Sequence, residues 1–400
     1  MSGVVKCDYL IVGAGINGLS IALELKRRFP SSCIVVIEKE REVGLHASGR
    51  NSGVLHAGFY YTRDSLKARF TRDGNRMLKS YCRQRGLSLN ECGKLVVAKD
   101  ENERETLHEL YERGMANGVN VEIVDSDRAT EIEPNAKTFS EALYSPDTAT
   151  VDPGEILRSM TSDLEESGVK IYTRTAFLHH AGLNRVITSQ GSFDAQKVIN
   201  CSGLYADRVA KAFGFADDYT IVPFKGIYLK YGATPGPVKT NIYPVPNLKN
   251  PFLGVHYTVT VDGSVKIGPT AIPAFWRENY GGFDNFDLSE MTEILFYEAK
   301  LFLTDSFGFR SLAFEEFKKY SREYLSSLAE DMVKVVDSEK FDSWSTPGIR
   351  AQLLDRRTLE LVQDFIVEGD ERSVHILNAV SPAFTCAMAF AKWVVDEYIA

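Results

Sequence analysis

Three closely spaced glycines carry the first chemistry legible in this chain. Gly13-Ala14-Gly15-Ile16-Asn17-Gly18 follows the apolar run Tyr9-Leu10-Ile11-Val12, and Glu38 stands twenty residues beyond the last glycine. At that spacing each residue type has a use. Gly13 permits a tight turn, Gly15 lets backbone approach a pyrophosphate, and Gly18 lets helix and strand pack closely. The helix opening there turns unpaired N–H groups and a positive dipole end toward phosphate. The Glu38 carboxylate accepts hydrogen bonds from ribose hydroxyls and repels an added 2′-phosphate. A glycine turn with no ligand is the plain alternative, and the strand, helix and acid around the motif argue against it.

A second group of residues suits proton transfer and anion binding. His56 and His256 have an unperturbed pKa near neutrality, which fits a general base. Arg350 offers a planar fork that matches a carboxylate with two parallel hydrogen bonds. Lys225, in Pro223-Phe224-Lys225-Gly226, is placed to hold a second carboxylate, and Tyr61 and Tyr243 to orient a substrate. Each has a bland counterpart: a hydrogen-bonded structural histidine, a surface arginine, a lysine with a packed stem, a core tyrosine. His46 raises the idea of a covalent cofactor link, against simple loop packing. His108, His179, His180 and His375 read as structural or surface residues.

These residues need elements to hold them. The chain has 400 residues, 44% hydrophobic and 25% charged, which fits a soluble enzyme of two domains. The net charge of −8 leaves no basic excess for nucleic acid, so an anionic substrate requires a local basic pocket. The six cysteines show no metal-ligand spacing and no C-x-x-C pair, so no metal is expected. Met1 to Val5 lacks the charged start of a signal peptide, and no apolar run is long enough to span a bilayer. A cytoplasmic location follows as the expectation, with peripheral membrane contact left open.

Strand and helix alternate at the start: the run to Val12, a helix carrying Leu19, Ala22 and Leu23 on one face, and then Ile34-Val35-Val36-Ile37. The rhythm returns with a helix from Asp152-Pro153, strands at Val169 to Tyr172 and Lys197 to Cys201, and a helix from Leu204 to Phe213. It returns again with a strand at Val374 to Leu377 and a helix at Ala383 to Ile399. Between lie β-rich segments punctuated by Pro235, Pro237, Pro244, Pro246 and Pro251, and a hairpin turning at Asp262-Gly263. On that hairpin His256 alternates with Tyr257, so it shares the opposite face with Thr258 and Thr260. Residues 287–336 read as amphipathic helices, packed inward by default. The expected fold is α/β, α+β overall. A Rossmann-like cofactor domain (1–85, 150–220 and 345–400) interleaves with a mixed-sheet-plus-helix substrate domain (86–149 and 221–344).

Gly44 to Tyr61 crowds glycines and small polar residues where an ordinary helix would start in a nicotinamide-binding domain, which suits close approach to a large flat cofactor. The run from Ser48 to Tyr61 resembles the D-amino-acid-oxidase-like flavoproteins, and in detail the L-2-hydroxyglutarate dehydrogenase/oxidase family. Further blocks carry the same resemblance: Cys92-Gly93-Lys94-Leu95-Val96-Val97-Ala98, Cys201 to Arg208, Val222 to Gly226, Asn241 to Pro246, Phe252 to Tyr257, and Gly348-Ile349-Arg350-Ala351-Gln352. The resemblance implies the interleaved fold, FAD, and a 2-hydroxy acid substrate. It places Arg350 on the α-carboxylate and FAD against Gly13, Gly15, Asn17, Gly18, Glu38, Lys39, Ser48, Gly49, Arg50, Asn51, Ser52, Gly53, Val54, Ala176, Cys201, Gly203, Ser381, Pro382, Ala383 and Phe384. Phe384 departs from the family, which has a small residue there. Oxidation of L-2-hydroxyglutarate to 2-oxoglutarate, with oxygen or a quinone as electron acceptor, is the leading expectation. Oxidation of another hydroxy acid, an amino acid or an amine is the second, and a non-catalytic FAD-binding electron-transfer protein the third.

Overall fold

The computed structural model describes residues 3–182, 184–246 and 254–400. Pro251 and the Phe252-Leu253 pair, named above, lie outside the described residues, as does Met1. The chain divides into two compact units. The first comprises 1–50, 153–223 and 350–400, and the second 51–152 and 224–349. The helix Leu66–Arg85, expected with the first unit, belongs to the second.

The first unit is a parallel sheet with an antiparallel edge. Val4–Val12 lies between Ile34–Ile37 and Gly191–Asn200, parallel to both. Lys170–Tyr172 extends the sheet beyond Ile34–Ile37, and Ser373–Asn378 pairs in parallel with the end of Gly191–Asn200. Ile34, Val35, Val36 and Ile37 are all buried, as expected of a strand covered on both faces. The helix Ile16–Arg28 buries Leu19, Ile21, Ala22 and Leu25 and ends on Lys26, Arg27 and Arg28, cations that suit its negative dipole end. It packs against the helices Pro153–Glu166 and Ala383–Tyr398. The expected helix at 204–213 is shorter, a 3-10 turn Gly203–Tyr205 followed by Ala206–Lys211.

The second unit is built on a mixed sheet of eight strands among the described residues. Its central members are Val265–Gly268, His256–Val259, Asn241–Pro244, Lys94–Val97 and Glu141–Ser145, in that spatial order. All neighbours there are antiparallel except Lys94–Val97 and Asn241–Pro244, which run parallel. The period of two divides the side chains. Leu95, Val97, Ile242, Tyr257, Val259, Val265 and Ile267 pack into one core. Val96 and Tyr243 pack into another with Ala57, Phe59, Leu107 and Leu110. Lys94, two residues before Val96, shares the second face, as do His256 and Thr258 by alternation with Tyr257. The helices Leu288–Thr304, Phe309–Lys318 and Arg322–Glu330 follow. Leu288–Thr304 buries Ile294, Tyr297 and Leu301, yet Phe296 and Leu303 on the same helix stay exposed.

Candidate active site

The glycine loop of the first unit is shaped from both sides. Gly13 has φ +104°, and a Cβ there would lie 2.5 Å from the Cys201 carbonyl oxygen. A Cβ on Gly18 would lie 2.0 Å from the Gly13 carbonyl oxygen. Neither position tolerates a side chain, because the obstacle is backbone. Gly15 differs: its Cβ would meet only the Ser48 side chain, at 3.0 Å, so protein packing alone does not demand glycine. Its value lies in clearance for a bound group. Gly15 caps the helix Ile16–Arg28 without a side-chain hydrogen bond to the first turn. Ser48 Oγ accepts from Ile16 N at 3.0 Å, and the buried Asn17 Oδ1 has no hydrogen-bond partner among the described residues. Glu38 is held by Ala14 N on Oε2 (2.9 Å) and Glu40 N on Oε1 (3.0 Å), with lone pairs remaining for ribose hydroxyls. A clear glycine cradle at a helix N-terminus and an acid held beside it suit a dinucleotide, so the residues fit FAD.

Other residues assigned to the cofactor shape the surrounding backbone. Gly49 is pinned by the Gly44 carbonyl, 2.3 Å from where its Cβ would be. Arg50 Nε donates to Leu45 O (2.7 Å), Asn51 Oδ1 accepts from Gly53 N (2.8 Å), and Ser52 Oγ accepts from Val54 N (3.2 Å). Gly53 and Gly203 both adopt positive φ. Lys39 pairs with Glu40 at 2.5 Å and stands 5.6 Å from the Tyr205 ring. His46 Nε2 lies 3.0 Å from Glu40 Oε1, which supports loop packing for this histidine. Ala176 N donates to Ser189 Oγ at 3.0 Å, and burial pushes the Cys201 thiol up. Ser381 and Pro382 form the turn into the helix Ala383–Tyr398, whose N-terminus has no side-chain cap, and Phe384 is half-buried in its first turn.

The second unit brings together both histidines and Tyr243. The Tyr243 and His256 rings stack with centroids 3.7 Å apart and planes 14° from parallel. Lys94 Nζ sits 3.9 Å from the Tyr243 centroid. Two groups this close cannot share one face, so the ring is sandwiched between ammonium and imidazole. Tyr60 and Phe59 extend the aromatic surround, with centroids 5.3 and 5.7 Å from Nζ. Lys94 Nζ also lies 3.4 Å from His56 Nδ1. His256 Nδ1 is 2.8 Å from the Gly254 carbonyl oxygen.

Burial sets the electrostatics of this cluster. Lys94 is fully buried, and the loss of hydration lowers its pKa from 10.5 to about 7. His56 is held well below the usual histidine range, first by burial and then by the charges of Lys94 and His256. Burial raises the Tyr60 and Tyr243 phenols well above 10. The Tyr60 hydroxyl is buried without a hydrogen-bond partner among the described residues, and the buried Tyr243 hydroxyl lies against that of Thr258. Neither phenol carries charge in the neutral range, so lysine and the two histidines alone divide the protons.

The remaining assigned residues stand elsewhere. Lys225 is buried, donates from Nζ to Asn279 Oδ1 at 3.3 Å, and has its pKa lowered by burial. Tyr61 stands beside Lys67, 5.9 Å from its Nζ. Arg350 is half-buried on the strand Gly348–Asp355, in the first unit. Lys94 is the residue that the sequence reading missed. Lys94–Val97 forms a strand whose lysine is buried by the sheet's pairing on both edges.

A parallel sheet with a glycine loop at a helix N-terminus and a carboxylate held beside it is the architecture of a dinucleotide-binding unit. The chain belongs to the FAD dependent oxidoreductase family, whose family model matches residues 8–397, and FAD is its cofactor. An L-2-hydroxyglutarate dehydrogenase of Nematostella vectensis is 38% identical, covering 98% of this chain and 90% of its own. That of Escherichia coli K12 is 34% identical, covering 98% and 92%. Among solved structures, an FAD-bound L-alpha-glycerophosphate oxidase from Mycoplasma pneumoniae has a TM-score of 0.78 at 23% identity, covering 98% of this chain and 94% of that one. Glycine oxidase from Geobacillus kaustophilus has a TM-score of 0.72 at 19% identity, covering 98% and 94%. At these identities the two structures are likenesses of fold.

Proposed function

We propose that this protein oxidises L-2-hydroxyglutarate to 2-oxoglutarate. The observation that carries this reading is the likeness to L-2-hydroxyglutarate dehydrogenases over 98% of the chain. FAD, when bound, would supply the two-electron oxidant for the reaction. It would be held by Gly13, Gly15, Asn17, Gly18, Glu38, Ser48 and the backbone around Gly203 and Ala383. The chain's other residues bind, orient and move the proton. Arg350 clamps the α-carboxylate through its fork, and Lys225, a buried ammonium whose side-chain partner is neutral Asn279, receives the distal carboxylate. One of the two histidines takes the hydroxyl proton. Tyr243, wedged between Lys94 and His256, acts on those groups, and Tyr61 serves orientation of the substrate.

An electron acceptor then regenerates the oxidised cofactor. Dissolved oxygen and a membrane quinone both satisfy the chemistry, and the surface of the second unit favours a lipid-borne acceptor. Phe283, Phe296, Leu303 and Phe314 are more than half exposed, an unusual density of large apolar groups for one stretch of a soluble surface. Among the described residues no helix is long and apolar enough to cross a membrane, so contact of this kind would be peripheral.

Anaerobic mixing of the purified holoprotein with single substrates tests the assignment through flavin absorbance. L-2-hydroxyglutarate should bleach the flavin, the D enantiomer should not, and lactate, which lacks the distal carboxylate, should be slow. Faster reduction by lactate or an amino acid would remove the substrate assignment and point to Phe384 as a residue that narrows the site.

A further inference from the structure

The environment of Lys94 separates the two histidines into different chemical states, an inference that rests on the function proposed above. We propose that Lys94 is a positioning residue: its ammonium donates to His56 Nδ1, keeps that ring neutral with its proton on Nε2, and leaves His256 to accept the substrate's hydroxyl proton.

Three observations support the assignment. First, Nζ and Nδ1 are 3.4 Å apart inside the protein, where two positive charges cannot both persist. The pair therefore carries at most one charge, and while Lys94 is an ammonium the contact requires Nζ–H as the donor and the Nδ1 lone pair as the acceptor. Second, the faces of Tyr243, Tyr60 and Phe59 surround Nζ, and aromatic faces favour an ammonium. Among the described residues no carboxylate pairs with Lys94. The titratable groups around the pair are His256, the phenols of Tyr60, Tyr61, Tyr228 and Tyr243, and the Cys92 thiol. None supplies a negative charge at neutral pH, so the rings are what offset the buried cation. Third, a backbone carbonyl can only accept, so His256 Nδ1 carries its proton toward Gly254 and the basic lone pair lies on Nε2.

The proton balance then distinguishes the rings. In the oxidation, the substrate O–H bond breaks, its electron pair becomes the second C–O bond, and the Cα hydride leaves to the oxidant. Taken by His256, the proton makes an imidazolium stacked on the Tyr243 ring. Taken by His56, it would create a second cation 3.4 Å from the Lys94 ammonium. Toward the substrate, His56 offers only its Nε2–H as a donor, and His256 offers the Nε2 lone pair that accepts the proton.

Histidine-15N-labelled holoprotein tests this by ring-nitrogen NMR shifts between about pH 5.5 and 8.5, with His56→Gln and His256→Gln assigning the signals. The wild type should show His56 neutral and protonated at Nε2, and His256 protonated at Nδ1. Lys94→Met should move the His56 titration upward by at least about one pH unit, while Lys94→Arg, which keeps a charge and a donor, should leave it neutral. Should Lys94→Met not fold, the wild-type tautomers and Lys94→Arg still decide. A proton on His56 Nδ1 in the wild type, or identical His56 titration with and without Lys94, overturns the proposal. These shifts are read without substrate, so they fail independently of a flavin that L-2-hydroxyglutarate does not bleach.

Discussion

A buried charge kept without a counter-ion weakens the fold, and that cost is measurable at single residues. The folded chain holds the Lys94 pKa at about 7 against 10.5 when unfolded. Between those values the unfolded chain binds more protons, so stability rises with pH across that window and the full cost is present below it. Lys94→Met should therefore raise the melting temperature by at least about 2 °C at pH 6, a gain that shrinks toward pH 10. Glu298 is the mirror case: burial raises it from 4.5 to about 8, and its Oε1 has no hydrogen-bond partner among the described residues. The folded chain there binds the extra proton, so stability falls as pH rises from 4.5 through 8. Glu298→Gln should stabilise at pH 8.5 and do little at pH 5, read by thermal melts. At Arg350 the expected loss is functional. Removing a charge-assisted contact costs on the order of 1.5–3 kcal/mol, so Arg350→Ala should lower kcat/KM roughly tenfold to over a hundredfold. Arg350→Lys should recover part of it, because a point charge cannot reproduce the fork.

At the scale of elements, what was legible in the sequence is what depends on local pattern. The glycine loop, the strand Ile34–Ile37, the helix Pro153–Glu166 with its buried Ile156, Leu157, Met160 and Leu164, and the hairpin at Asp262-Gly263 all follow from period, caps and turns. Lys94 was not legible, because its burial depends on a strand paired on both edges by Asn241–Pro244 and Glu141–Ser145, partners distant in sequence. For the helices after residue 287 the pattern left inward packing as the default and a membrane-facing surface open, and they bury Ile294, Tyr297 and Leu301 while Phe296, Leu303 and Phe314 face out. Phe296→Asp with Leu303→Asp should reduce co-sedimentation with zwitterionic lipid vesicles and leave flavin reduction in solution unchanged. Equal sedimentation of variant and parent would remove the lipid surface from the reading. In the glycine loop, Gly13→Ala and Gly18→Ala should abolish FAD retention through backbone collision. Gly15→Ala should be milder, since only the Ser48 side chain must move, whereas Gly15→Val should release the cofactor.

For the whole molecule, cofactor binding and folding are linked, because the first unit is assembled from three separate segments of the chain. A ligand that binds only the assembled unit stabilises it by about 2.7 kcal/mol at a hundredfold excess over its dissociation constant. The melting temperature of the apoprotein should climb steadily with added FAD, and this response should vanish in Gly13→Ala. The net charge of −8 acts at the same scale. A dianionic substrate approaches against the average field, so local cations such as Arg350 and Lys225 must supply the attraction, and added salt should not strongly slow capture.

The packing of the helix Ile16–Arg28 against Ala383–Tyr398 has a consequence for biosynthesis. Arg28 pairs with Asp396 at 2.5 Å, and Lys197 donates to the Tyr398 carbonyl. The first helix leaves the ribosome early, whereas the surface that covers its apolar side is made at the other end of the sequence. At about 5–20 residues per second, that side waits roughly 20–70 s for its cover. Ribosome-arrested chains ending before Ala383 should be protease-sensitive around Leu19 and Leu25 and should not retain FAD, while chains with Tyr398 clear of the exit tunnel should resist the protease there and retain FAD.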